Sequence, residues 1–262
     1  MTAPGTTVEQ QLRDALERSQ QQVADMAAAQ EEFVRAVAHD LRAPLRHVTS
    51  YGALVCELLG ELPGGAAQSP GVQEALGFLG TMDQSARRMG LMIDGLQALA
   101  QVGRAPLRCG PVALTAALAQ ARTALAAAEA GRTVHWKLAT ELPVLHADAG
   151  LLHALLVQVL GNALKFTRDR AEVHIHVTAE PTAEGRVAVS VRDNGVGFDP
   201  ARAGALFGVF ERLHRETEFE GVGAGLAQCR AIALRHGANI QALGRPGQGC
   251  SVRLDWPLHP SV

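Results

Sequence analysis

His39 and Asp40 stand together in the run Ala38-His39-Asp40-Leu41-Arg42-Ala43-Pro44-Leu45. A carboxylate beside an imidazole can hold one ring nitrogen and accept its proton, leaving the other as a nucleophile. On its own such a histidine is more often a solvated or packed side chain. A proline inside a helical pattern is rarer, because it deletes a backbone bond and presses on the carbonyl four residues earlier. That carbonyl belongs to Asp40, so a kink or a loosened turn is expected beside His39.

Further along the chain, two glycine clusters and one helix face suit phosphate chemistry. The clusters are Asp193-Asn194-Gly195-Val196-Gly197-Phe198 and Gly221-Val222-Gly223-Ala224-Gly225-Leu226. Glycines let a backbone approach a ligand closely, and the second cluster opens a helix whose N-terminus favours anions. Asp193 accepts hydrogen bonds only, which suits an exocyclic amino group such as that of adenine, although an Asp ahead of Asn-Gly also caps turns. Gln158, Asn162 and Lys165 share one face of a helix starting at Asp148. The Asn162 carbonyl is a hard ligand fit for nucleotide-bound Mg²⁺, and Lys165 a point charge towards phosphate; a solvated polar face is the plain alternative. The sequence lacks GxxxxGK[ST], which excludes a P-loop, and its glycine spacing is not GxGxxG.

The elements that must position these groups fall into two patterns. Leu12, Leu16, Val23, Met26, Phe33 and Val37 follow the alternating four-three spacing of a coiled-coil seam, with Ser19 and Gln30 its polar members. Leu41, Leu45 and Val48 continue it through a stutter, which leaves His39 on the outer flank. A helix is expected from the capping box Thr6–Glu9 to about Leu59, with residues 1–5 disordered. Ser69-Pro70 opens a second helix carrying Leu76, Leu79, Met82, Ala86, Met89, Ile93, Leu96 and Ala100 on one face. Two such hairpins make a dimeric four-helix bundle. Gly103 to Pro106 reads as a hinge. Beyond it the pattern predicts a helix over Val112–Ala130, a strand over Thr133–Leu138, a strand pair at Glu172–Val177 and Arg186–Val191, a helix near Gly225–His236 and two last strands. Strands mixed with helices without strict alternation suggest an α+β two-layer sandwich.

With 47% hydrophobic residues the chain can bury a sizeable core, and its net charge of −2 gives no support for a nucleic-acid partner. Four scattered cysteines without a CxxC pair suggest neither zinc nor a disulfide framework. No apolar run is expected to approach the length of a membrane span, and the N-terminus lacks the layout of a signal peptide, so a cytoplasmic location is expected.

Taken together, these motifs resemble those of sensor histidine kinases of two-component systems, closest to the bacteriophytochrome type. The stretch around His39 is similar to that family's phosphoacceptor box, the helix with Asn162 to its Asn-containing box, and the glycine clusters to its two glycine boxes. Phe207-Gly208-Val209-Phe210-Glu211-Arg212-Leu213 is similar to its phenylalanine box. The resemblance implies an N-terminal signalling coiled coil over 1–33, a dimerisation and phosphoacceptor domain over 34–104, and a Bergerat-type ATP-binding domain over 105–262. It further implies phosphorylation of His39, assisted by Asp40, and transfer to an aspartate on a response-regulator receiver domain. It places ATP and Mg²⁺ against Asn162, Lys165, Asp193, Gly195, Gly197, Phe210, Gly221, Gly223, Gly225 and Leu226, with Asn162 on the metal. Phe207–Val222 would be a mobile lid. Gln158 stands where the family usually has a first Asn, and Ala43 where phosphatase-active members carry Thr or Asn, which implies little phosphatase action of that type. Only about forty residues precede His39, so the stimulus is expected either from a separate sensor protein at the coiled coil or from a longer kinase of which this chain is a part. The competing readings are an ATP-binding dimeric scaffold without transfer, and an ATPase of the gyrase or heat-shock chaperone type.

Overall fold

The computed structural model describes residues 5–63, 65–104, 106–182, 185–215 and 217–258. Residues 1–4, and the side chains that would form the Thr6–Glu9 capping box and the seam at Val23, Met26 and Gln30, lie outside the described set. So do Gly64 of the expected interhelical turn and Ala105 of the expected hinge. The chain divides into two compact units, Met1–Arg104 and Ala105–Val262.

The first unit is a helical hairpin of α1 (Gly5–Gly60) and α2 (Pro70–Arg104), joined through a 3-10 turn at Ala66–Gln68. Small and compact residues set the approach of the helices. Ala38, Ala86, Ile93 and Val102 are buried, and Gly90 faces Leu45 across the pair. Arg42 ties the pair together by donating to Asp94 and Gln97, each at 2.6 Å. Pro44 sits inside α1 without interrupting it. One missing backbone bond in a long helix is outweighed where packing against α2 holds both flanks.

Of the apolar face expected on α2, Ala86 and Ile93 are buried, while Met82 and Met89 point to solvent. With Phe78 they form an exposed row on α2, and Val37, Leu41, Val48, Tyr51, Val55 and Leu58 form another along α1. Tyr51 and Phe78 retain 65% and 64% of their exposure, so the hairpin leaves more apolar surface open than a solitary pair of helices tolerates.

The second unit is a two-layer sandwich. Its sheet runs in the order β2-β4-β5-β7-β6, from Thr133–Leu138, Glu172–Thr182, Arg186–Asp193, Cys250–Pro257 and Asn239–Gly244 respectively. Only β2 and β4 are parallel, starting at Thr133 opposite Glu172; the other pairs are antiparallel. Alternation sends Val173, Ile175 and Val177 of β4, Val187, Val189 and Val191 of β5, and Val252, Leu254 and Trp256 of β7 into the core. The helix layer comprises α3 (Leu114–Ala124), the short α4 (Ala126–Glu129), α5 (Ala149–Phe166) and α6 (Gly225–Arg235). α5 buries Leu152, Leu155, Leu156, Val159, Leu160 and Leu164.

Two expectations are corrected here. The single helix over Val112–Ala130 begins instead as strand β1 (Cys109–Ala113), which pairs antiparallel with β3 (Val144–Asp148), and only then becomes α3 and α4. The partner strand lies some thirty residues downstream, and such long-range pairing overrides the helix preference of an Ala- and Leu-rich run. Also, α5 has the length and hydropathy of a membrane span by composition alone. Its apolar side is the core of the sandwich.

The start of α5 is fixed by a small network. Asp148 Oδ1 accepts from the amides of Gly150 and Leu151, and its Oδ2 from that of Arg108. The Asp148 amide donates to His236 Nε2 at 3.0 Å, while His236 Nδ1 donates to the Ile232 carbonyl at 2.8 Å. That pattern requires a neutral ring, and burial holds the His236 pKa below its ordinary value. The Asp148 carboxyl also lies low; burial opposes this, but the amide bonds from Arg108, Leu151 and Gly150 outweigh it. Both depressed values have the same sign for stability. The unfolded chain takes up His236's proton as pH falls through about 6.5, where the folded chain refuses it. The thermal midpoint of the globular unit is therefore expected to fall on acidification from pH 7 towards 5, and His236→Gln to flatten that step. A midpoint equally pH-dependent in the variant would assign the effect elsewhere.

Candidate nucleotide site

A cavity of about 310 Å³ opens between α5, the sheet and the segment leading into α6. This is within the size range of small-molecule sites. One end is closed by β5 and the first glycine cluster. Asp193, at the end of β5, is 8% exposed. Its Oδ1 accepts from the Gly195 amide at 2.8 Å and the Cys250 amide at 3.2 Å. No described residue donates to Oδ2, which leaves that oxygen free to accept from a ligand. Burial raises the Asp193 pKa, against the pull of those two amides and of Arg192.

The glycines here are required by space. A Cβ on Gly249 would meet the carbonyl of Asp193, and one on Gly197 the carbonyl of Arg245; both residues also have positive φ. Asn194 pins the turn to β4 by accepting from the His174 amide and donating to the Glu172 carbonyl, both at 2.9 Å.

The α5 side presents Gln158, Asn162 and Lys165 to the cavity. The Asn162 side-chain amide makes no hydrogen bond to the protein among the described residues. The Gln158 amide packs against Gly225, the first residue of α6, so closely that a Cβ there would collide with it. Lys165 donates to the Glu220 carbonyl at 3.3 Å and lies 4.5 Å from the Phe166 ring centre. Burial lowers its pKa, reinforced by the neighbouring Arg212 and opposed by Glu220.

The third wall is the segment from Leu206 to Leu226. Arg212 donates to the carbonyls of Phe219 and Gly221, and Arg202 braces the segment from outside through the carbonyls of Arg212 and Leu213. Phe166, His214 and Phe219 form an aromatic cluster with ring centres 5.0–5.4 Å apart. Phe210 has φ of 64°, a conformation rare outside glycine, held where its amide donates to the Gly223 carbonyl at 3.0 Å. Glu216 of this segment lies outside the described residues.

The structure therefore brings Asn162, Lys165, Asp193, Gly197, Gly221, Gly223, Gly225 and Leu226 to one cavity. Gly195 and Phe210 are not part of its wall. Gly195 instead orients Asp193, and a Cβ there would meet the Phe166 carbonyl at 2.6 Å. Phe210 shapes the bend of the lid-like segment. Sequence reasoning passed over Cys250 and the packing of Phe166 on Phe219, which meet through long-range folding, and Arg202, which no motif includes. Phe166, next to Lys165 in the motif helix, was the one visible hint.

His39 and Asp40 belong to the helical unit. Their side chains are 84% and 81% exposed, with His39 Nδ1 3.1 Å from Asp40 Oδ1. An ionised Asp40 accepts from Nδ1–H, which leaves Nε2 with its lone pair outward.

The donor set fits a magnesium nucleotide. It offers the Asp193 carboxylate, an Asn162 side-chain oxygen with no partner among the described residues, a lysine, and a helix opening on glycines. Among the described residues no group of three His, Cys, Asp or Glu side chains could hold a metal by itself. That is compatible with a magnesium ion carried largely by phosphates and water.

Comparison with known proteins agrees. Residues 147–260 match the family of histidine kinase-, DNA gyrase B- and HSP90-like ATPases. The chain as a whole is similar to sensor histidine kinases, as its motifs implied. It is 31% identical to the sensor protein KdpD of Escherichia coli over 96% of this chain and 26% of KdpD. It is 29% identical to cyanobacterial phytochrome A of Nostoc over 95% of this chain and 30% of that protein. With the adaptive-response sensory kinase SasA of Synechococcus elongatus it shares 29% identity over 95% of this chain and 65% of SasA. The chain thus spans about a quarter to a third of KdpD and phytochrome A. Among solved structures, full-length ShkA in complex with AMPPNP superposes with a TM-score of 0.59 at 25% identity, covering 88% of this chain and 46% of ShkA. The Acinetobacter baumannii histidine kinase AdeS shares the fold, with a TM-score of 0.55 at 16% identity over 84% of this chain and 98% of AdeS.

Proposed function

We propose that this chain is the kinase portion of a two-component signalling protein: it transfers the γ-phosphoryl group of ATP to His39 and passes it to an aspartate of a response regulator. The observation that carries the reading is His39 itself, an exposed imidazole with Nδ1 against Asp40 and Nε2 open. It stands in a chain that also holds a nucleotide-sized cavity. In the proposed step Nε2 attacks the γ-phosphorus, the bond to ADP breaks, and the Nδ1 proton is taken up by Asp40.

Asp193 receives the adenine amino group through Oδ2. Lys165 and the amides opening α6 meet the phosphate oxygens. Asn162 is the protein ligand for magnesium, which when bound neutralises phosphate charge. The exposed rows on α1 and α2 are the faces by which two hairpins would form a four-helix bundle in a homodimer. Residues 1–33 would extend that pairing as a coiled coil and give a sensor protein or sensor segment a place to act.

Incubation with γ-labelled ATP separates this reading from its competitors. The expected result is label on protein that is stable to base and lost in acid. Bound but unreacted ATP would indicate a scaffold, and steady phosphate release without labelled protein a clamp-type ATPase.

A further inference from the structure

Between α5 and β4, outside the motifs that marked the cavity, Arg170 reaches back over both glycine-rich turns that flank Asp193. Its Nη2 donates to the Gly195 carbonyl at 3.0 Å and to the Gly247 carbonyl at 2.9 Å. The first turn gives Asp193 Oδ1 its Gly195 amide, and the second gives it the Cys250 amide. The turns touch each other directly through the Gly247 amide, which donates to the Val196 carbonyl at 2.6 Å. One guanidinium thus ties together the two segments whose amides set the direction of the carboxylate.

We infer that Arg170 is the positioning residue for base recognition: by clamping the turns at Gly195 and Gly247 it aims Asp193 Oδ2 at the exocyclic amino group of the nucleotide. The inference rests on the reading of the cavity as an adenine-nucleotide site. Arg170 does not line the cavity and acts through the two turns. Its removal leaves the first turn anchored, because Asn194 still holds β4 and the Val196 amide still donates to the Phe166 carbonyl at 3.1 Å. The loss is therefore one of aim more than of fold. A carboxylate free to swing gives up a charged hydrogen bond to an amino group but nothing to a base that lacks one.

Inosine nucleotides carry a carbonyl where adenine carries that amino group. The test is calorimetric binding of ADP and IDP, each with magnesium, to the full chain and to Arg170→Ala and Arg170→Lys. The wild type is expected to prefer ADP. Arg170→Ala should weaken ADP about tenfold, the worth of one hydrogen bond to a charged group, and leave IDP within about twofold, so that selectivity collapses. Arg170→Lys, which can still reach one carbonyl, should recover part of the selectivity. Equal weakening of both nucleotides, or no change in either, would overturn the assignment and leave Arg170 an ordinary loop brace. Absence of ADP binding by the wild type would instead remove the underlying reading of the cavity, and the assignment with it.

Discussion

His39→Gln is expected to lose about a thousandfold or more of the label taken from γ-labelled ATP, with nucleotide affinity and thermal midpoint unchanged. Removal of a nucleophile costs an enzyme nearly all its rate because no neighbouring group replaces it. The ring is 84% exposed and, among the described residues, bonds only to Asp40, so the fold has little to lose. Glutamine keeps a polar side chain of similar reach but has no lone-pair nitrogen to attack phosphorus. Asp40→Asn should retain the labelled site yet slow it about a hundredfold, because the amide cannot take the Nδ1 proton. Autoradiography of the purified variants checks both, and undiminished labelling of His39→Gln would remove the central residue from the mechanism.

Asp193→Asn is the second large effect, and its signs differ for binding and stability. Asparagine keeps an Oδ1 acceptor for the Gly195 and Cys250 amides but puts an NH₂ where the adenine amino group must donate. ADP affinity measured by calorimetry is expected to fall about a hundredfold, the upper range for a charged hydrogen bond replaced by opposed donors. Stability should move the other way. Burial raises the Asp193 pKa, so the ionised group is a cost to the folded state at neutral pH, and that cost disappears with the charge. A thermal midpoint at or above that of the wild type, combined with lost affinity, marks a binding residue. Unchanged ADP affinity would place the base elsewhere in the cavity.

The legible part of the molecule was whatever local pattern determines. The hairpin could be read because amphipathic spacing and the Ser69-Pro70 start are local, and α5 because Asp148 caps it with its own side chain. The glycine clusters were readable because close approach of Gly197 to Arg245, and of Gly223 to Glu211, tolerates no side chain. What escaped depends on distant partners. Strand β1 exists because residues 144–148 lie beside it, and nothing within Cys109–Ala113 announces that. Cys250 reaches Asp193 from the neighbouring strand β7 but is distant from it in sequence, and Arg170 belongs to no motif. Phe210 was assigned to the nucleotide by resemblance, yet its positive φ serves the bend of the segment and its side chain is off the cavity wall.

The exposed apolar rows of the hairpin and the open Nε2 of His39 lie on one unit, and the cavity on the other. The account joins them by a phosphoryl group. The measurement that bears on this most directly is mass-spectrometric mapping of the chain after incubation with magnesium ATP, under alkaline handling that preserves phosphoramidates. The account predicts a single modified peptide carrying Nε2-phosphohistidine at position 39. Phosphate on another residue, or a chain that binds ATP and remains unmodified, would contradict it.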